Sequence, residues 1–111
     1  MRDPKTPPIP PDIRAVIDRF ETRGPVRTKA MFGGHGVWCD DRFVAIVFHG
    51  ALYLKVNAAT RPLFVAAGCR PFQMSLDRPS RLVFYTLPAD AIVGSDTLDT
   101  WLDRAISSAS R

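Results

Sequence analysis

Apolar positions recur along the chain with two different periods. Ile13, Val16, Ile17 and Phe20 stand at i, i+3, i+4 and i+7, the spacing of one helix face. Arg14, Asp18, Arg19 and Glu21 fill the opposite face. The pattern predicts a helix from near Asp12, ended by Gly24-Pro25. Leu98, Trp101, Leu102, Ala105, Ile106 and Ala109 mark a second apolar face, which predicts a closing helix from near Asp96. Asp96 and Asp99 have capping-box spacing, with Asp in place of the usual Glu. A shorter helix is predicted after Thr60. With Thr60 as its N-cap, Pro62 falls in the first turn, where a missing N–H costs nothing. Gly68 then supplies the C-terminal stop.

Between the helices the period changes. Val37–Cys39, Phe43–Phe48 and Leu52–Val56 read as three strands in meander order. The reversals are Asp40-Asp41 and His49-Gly50. Phe43–Phe48 is apolar at every position, as expected for a central strand covered by helices. An extended segment from Val26 leads into Met31-Phe32. Gly33-Gly34-His35-Gly36 then predicts a turn, or a backbone approach too close for a Cβ. After the middle helix, Pro71–Met74 reads as a short strand and Ser75–Ser80 as a polar loop. Leu82–Leu87 reads as a long inner strand, ended by Pro88. The order α-β-β-β-α-β-β-α predicts an α+β fold, a single antiparallel sheet of about five strands with helices packed against it. Val44, Ile46, Leu52, Leu54, Phe84, Ile17, Phe20, Trp101 and Leu102 are expected to form one core.

A chain of 111 residues has room for one domain. Half of its ten prolines (Pro4, Pro7, Pro8, Pro10, Pro11) fall at the start. Residues 1–11 therefore read as a proline-rich tail and 12–111 as a single domain. No apolar run approaches the ~20 residues of a membrane helix, and no membrane contact is expected. Met1-Arg2-Asp3-Pro4-Lys5 runs into prolines rather than an apolar stretch, so it does not read as a signal peptide. The expected location is cytoplasmic. Cys39 and Cys69 lie far apart and form no CxxC pair. They read as reduced, partly buried thiols; a bridge would require the fold to juxtapose them.

The candidate chemistry is sparse. His35, Cys39 and His49 match no zinc-ligand spacing, and both histidines sit beside turn glycines. A Cys–His pair would need a base within hydrogen-bond reach and a third orienting group. Asp40-Asp41 reads as a polar reversal rather than a catalytic pair. The residues a catalytic site could use are His35, Cys39, His49 and Tyr53, and they are expected not to converge. No catalytic role, metal or cofactor is therefore assigned. The glycine run lacks phosphate-loop spacing and leads into a strand instead of a helix N-terminus. The net charge is +4, but most basic residues are scattered and only Arg23 to Lys29 forms a loose cluster. Arg23, Arg27 and Lys29 precede Phe32 and Trp38, while Tyr53 and Lys55 share a strand face. Charge beside aromatic rings is the pattern that holds single strands.

Taken in order, the motifs resemble the N-terminal domain of the TfoX/Sxy family, the regulators of natural competence. The matching residues are Met31-Phe32-Gly33-Gly34, Gly36-Val37-Trp38, Phe43-Val44-Ala45 and Leu52-Tyr53-Leu54-Lys55-Val56. Further on come Gly68 with Pro71-Phe72, Tyr85 with Pro88, and Trp101 with Ala105. Trp38 stands where tyrosine is usual. The resemblance implies the topology reached above. It also implies relatedness to two-domain proteins that assist a transcription activator, here through the first domain only. It brings no catalytic set, so Met31, Phe32, Gly33, Gly34, Gly36, Tyr53, Lys55, Gly68, Pro71 and Phe72 suit architecture or a shallow contact surface. The expected function is a non-catalytic regulatory or protein-binding module. Its partner would be another protein or a second copy of the chain in a homodimer. The alternative is a direct nucleic-acid binder using Arg23, Arg27, Lys29 and Lys55. A small enzyme with a His/Cys site ranks behind both.

Overall fold

Five strands pair antiparallel in chain order: β1 (Val26–Met31), β2 (Gly34–Cys39), β3 (Arg42–Phe48), β4 (Ala51–Lys55) and β5 (Phe84–Thr86). Helix α1 (Pro11–Arg19) precedes them and runs into a 3₁₀ turn at Phe20–Thr22. Helix α2 (Arg61–Ala66) lies between β4 and β5, and α3 (Asp96–Ser108) follows β5. The computed structural model describes residues 8–31, 33–72, 84–88, 91 and 96–109. The chain thus forms an α+β fold with one five-stranded antiparallel sheet flanked by helices.

Two details of the element order differ from the sequence reading. The extended segment from Val26 is a full strand, paired with β2 from Val26↔Cys39 to Met31↔Gly34. Its charged residues hid a plain apolar alternation. Beyond α2, Pro71 makes a single bridge to Tyr85, and the Phe72 N–H donates to the Phe84 carbonyl at 2.8 Å. The rest of the expected Pro71–Met74 strand, the Ser75–Ser80 loop, and Leu82 and Val83 lie outside the described residues, as do residues 1–7.

The β2–β3 and β3–β4 hairpin turns have positive φ throughout: Asp40 52°, Asp41 62°, His49 50° and Gly50 75°. That is the turn whose twist suits two antiparallel strands. The Gly33-Gly34 pair resolves into two separate needs. Gly33 takes φ +79°. Gly34 is buried, and a Cβ there would overlap the Val47 carbonyl oxygen on β3.

The helix ends follow their local chemistry. Pro62 lies in the first turn of α2, and Thr60 occupies the N-cap position. Thr60 does not cap with its own oxygen. Asn57 Oδ1 accepts from the Ala59 and Thr60 N–H groups, each at 2.9 Å, while the Thr60 hydroxyl accepts from the Asn57 N–H at 2.9 Å and bonds Ser108 Oγ at 2.8 Å. This buried contact ties α2 to the end of α3. At the other end of α2, Gly68 has φ +81°. The Cys69 N–H reaches the Phe64 carbonyl and the Gly68 N–H the Val65 carbonyl, each at 3.0 Å. These paired bonds satisfy the last carbonyls of the helix. The capping box expected at Asp96 and Asp99 is not used as such, because the Asp99 carboxylate is held by Arg19, at 2.8 Å and 2.9 Å.

The core has two sides instead of one. Cross-strand partners share a face, and β2–β3 shifts register between Val37 and Trp38. This bulge lets the successive residues Val44 and Ala45 both join the helix-side cluster. That cluster contains Ile17, Phe20, Val44, Leu52, Leu54, Trp101 and Leu102. Ile46 and Phe84, expected in the same core, lie on the opposite face with Phe72, packed by Phe43, Phe48 and Tyr53. The all-apolar run Phe43–Phe48 is thus explained by helices on one face and an aromatic layer on the other.

Candidate functional site

The aromatic layer gathers several of the residues that the sequence singled out. On β1, Arg27 lies opposite Trp38 and Lys29 opposite Gly36. Gly36 in turn faces Ile46 and Trp38 faces Phe43, and Ile46 faces Tyr53. On β5, Phe84 lies opposite Lys55. One continuous ladder results. The Arg27 guanidinium lies over the Trp38 ring at 4.7 Å. Trp38 stacks on Phe43 at 4.7 Å and 17°, Phe43 meets Phe84 at 5.2 Å, and the Lys55 ammonium lies over Phe84 at 5.2 Å. Such cation–ring pairs contribute about 0.5–1 kcal/mol each at exposed sites. A second group sits beside it. Phe72 makes edge contacts with Phe48 at 5.4 Å and Tyr53 at 5.1 Å, and His49 packs edgewise on Phe48 at 4.2 Å.

Alternation explains the face. On β1, Arg27 and Lys29 are two residues apart and exposed; on β4, Tyr53 and Lys55 are likewise two apart. Each pair therefore projects on one side of the sheet. Trp38, Phe43, Phe48 and Tyr53 are half-buried, whereas Phe72 and Phe84 are fully buried. Trp38 is flanked by Arg27 on one side and Phe43 on the other, so neither face of its ring is left for another flat group.

The remaining candidates go elsewhere. Arg23 does not join Arg27, Lys29 and Lys55. Its Nε donates to Asp103 at 2.6 Å, and its guanidinium also reaches the Asp99 carbonyl oxygen at 3.3 Å. The Asp103 hydrogen bond raises its pKa. Arg19 holds the Asp99 carboxyl below its usual range, mainly through their hydrogen bonds. These pairs bind α1 and the following turn to α3, a structural role that the spacing of basic residues could not reveal.

His35, Cys39, His49 and Tyr53 do not come together. His35 lies opposite Val47, on the helix side; burial first and Arg14 second lower its pKa. Cys39 is fully buried on that side, and its thiol donates to the Phe20 carbonyl at 3.4 Å. Burial, with Asp40 second, pushes that thiol up, away from the thiolate a nucleophile needs. Tyr53 is on the other face and His49 in an exposed turn. Cys39 and Cys69 are both buried. Among the described residues, no three His, Cys, Asp or Glu side chains are grouped to hold a metal ion. A cavity of about 440 Å³ lies between α1 and the ends of β4 and β5, walled by Ile13, Val16, Leu52 and Leu87. None of the candidate residues lines it.

The family motif residues fall into three places. Met31 and Gly33 bracket the β1–β2 turn, whose Phe32 is outside the described residues, while Gly34 meets the Val47 carbonyl of β3 and Gly36 lies between Lys29 and Ile46. Tyr53, Lys55 and Phe72 belong to the aromatic face, with Pro71 at its edge. Gly68 ends α2. What the sequence missed is Phe43 and Phe84 as middle rungs of the ladder. The cross-strand register that aligns them is not written in either strand alone.

This arrangement defines a class: a small α+β domain whose helices cover one face of a meander sheet while aromatic and basic side chains occupy the other. The chain belongs to the TfoX N-terminal domain family, whose model matches residues 18–109. That span runs from the end of α1 through the whole sheet to the end of α3. No curated protein matches the chain. No described helix is long and apolar enough to cross a membrane.

Proposed function

We propose that this domain is a non-catalytic, protein-binding regulatory module, and that its contact surface is the aromatic and basic face of the sheet. The observation that carries this reading is the ladder Arg27–Trp38–Phe43–Phe84–Lys55, which joins two of the four basic residues that the sequence put beside rings. Half-buried aromatic residues with arginine at their rim are the composition of protein contact surfaces. Family membership supports a regulatory setting, because the competence regulators that the chain resembles assist a transcription activator. A partner protein and a second copy both remain within this reading. The proposed organisation is a proline-rich tail over residues 1–11 and one domain over 12–111, acting in the cytoplasm.

A second reading is favoured by one observation: Arg27, Lys29 and Lys55 share a face with Trp38 and Tyr53. This is the layout of a single-strand binder. Against it, base stacking needs an open ring face, and Trp38 has Arg27 on one side and Phe43 on the other. Titration of labelled single- and double-stranded DNA at several salt concentrations separates the two. The expected result is no saturable binding at micromolar protein. Micromolar affinity that falls steeply with salt, and is lost in a Lys29→Glu/Lys55→Glu variant, would replace the protein-binding reading with the nucleic-acid one.

A further inference from the structure

The two edges of the sheet are not alike. Beyond β5, the chain itself supplies Arg70–Phe72: the Phe72 N–H donates to the Phe84 carbonyl, and the Thr86 N–H donates to the Arg70 carbonyl, on the strand's outer side. Beyond β1, the described residues supply nothing: the backbone of Val26–Met31 bonds only to β2. In an antiparallel pair, alternate residues turn their N–H and C=O groups toward and away from the partner, so about three of the six residues of β1 present both groups outward. The strand carries no proline that would remove a donor. Such an edge is a template for another strand.

The side chains on this edge select the occupant. Arg27 and Lys29 are exposed and lie on the aromatic side of the sheet. Arg27 is steadied by Trp38 at 4.7 Å. Among the described residues, neither forms an ion pair; the salt bridges are those of Arg19 and Arg23. A second copy is a poor fit. Antiparallel pairing of two β1 strands centred on Thr28 would set Arg27 of one against Lys29 of the other, and like charges directly opposite are destabilising. A strand with carboxylates two residues apart would instead place one acid opposite each cation, on the same face.

We infer that β1 is a strand-addition site for an acidic, extended peptide segment of a partner protein, with acidic side chains at alternate positions paired to Arg27 and Lys29. This inference rests on the protein-binding reading above and names the chemistry of its partner. The added strand would extend the sheet by a sixth member and continue the aromatic face outward.

The test uses the full chain and a labelled six-residue probe with glutamates two residues apart between valines and threonines, read by fluorescence anisotropy. The expected result is saturable binding, about tenfold weaker when the glutamates are replaced by lysines. The Arg27→Glu/Lys29→Glu variant should reverse that preference and bind the lysine probe better. Both sites are exposed, and an unchanged circular dichroism melt confirms that the variant folds. N-methylation of alternate backbone nitrogens in the probe, tried in both registers, should abolish binding in the register that faces β1. Equal binding of both N-methylated forms would reduce the contact to loose charge attraction and overturn strand addition. Absence of saturable binding would overturn it as well. So would a dimer seen in sedimentation that Arg27→Glu tightens by replacing one of two opposed cations, which would hand the edge to a second copy. Failure of the peptide without DNA binding removes the edge inference alone, whereas salt-sensitive DNA binding removes the reading beneath it.

Discussion

Replacing Trp101 with alanine is expected to cost about 3–5 kcal/mol of stability, measured as the shift of a urea unfolding curve. Trp101 is 6% exposed and sits on α3 where that helix meets the rest of the helical layer. Its ring meets Phe64 of α2 edge-on at 4.6 Å, and the Arg104 guanidinium covers it at 4.5 Å. Truncation therefore loses three things together: the burial of a large ring, an aromatic pair, and the platform for Arg104. The hole would open between two helices that are otherwise joined by the Thr60–Ser108 hydrogen bond. Trp101→Phe should recover much of the loss, because it keeps the contact with Phe64. A Trp101→Ala loss below about 0.5 kcal/mol, the level of an ordinary surface change, would mean that α3 does not pack as described.

Gly34→Ala is expected to destabilise by about 1–3 kcal/mol or more, although it adds only a methyl group. The new Cβ would overlap the backbone carbonyl oxygen of Val47, and a backbone atom inside a paired sheet cannot swing aside as a side chain can. Relief would require β2 to lift from β3, against the pairs from His35↔Val47 onward. Gly33→Ala provides the internal comparison. It has open space around it but φ +79°, so its cost is the left-handed backbone alone, about 1–2 kcal/mol. Gly34→Ala should also disturb amide resonances along β2 and β3, while the changes from Gly33→Ala stay at the turn. Equal and local effects from both would show that the glycines serve only the turn.

The contrast between these two glycines shows how far sequence reasoning reaches. Three glycines in four residues announced either positive φ or close approach, and both occur, at neighbouring residues. Which glycine does which depends on where β3 lies, and β3 comes later in the chain. The helices were readable because their apolar faces are local patterns; Thr60, Pro62 and Gly68 mark the limits of α2 through chemistry within a few residues. β1 was only an extended segment because Arg27 and Lys29 obscure its alternation, and its partner had to be known before it became a strand. The division of the core into two faces was hidden for a similar reason. A run such as Phe43–Phe48 reads the same whether both its sides meet helices or one meets rings, and the bulge that puts Val44 and Ala45 on one side leaves no mark in composition.

The candidate site was half legible. Arg27, Lys29, Lys55 and Tyr53 stand out as basic or aromatic residues of extended segments, and alternation alone puts Tyr53 and Lys55 on one side. Arg23 looked like their companion because it is near in sequence; its true neighbours, Asp99 and Asp103, are on the last helix. Phe84 reads as helix-side core because its strand is aromatic and β-branched. In each case the missing information was a contact between residues far apart in the chain.

The central claim is that the aromatic and basic face of the sheet is where this domain meets another protein. Site-specific photo-crosslinking tests it most directly. A photoreactive phenylalanine replaces Tyr53 on that face, and in a separate variant replaces Ser107, exposed on α3; adducts formed in cells are then identified by mass spectrometry. The account predicts protein adducts at position 53 that are absent at position 107. Adducts confined to position 107, or nucleic-acid adducts at position 53, would contradict it.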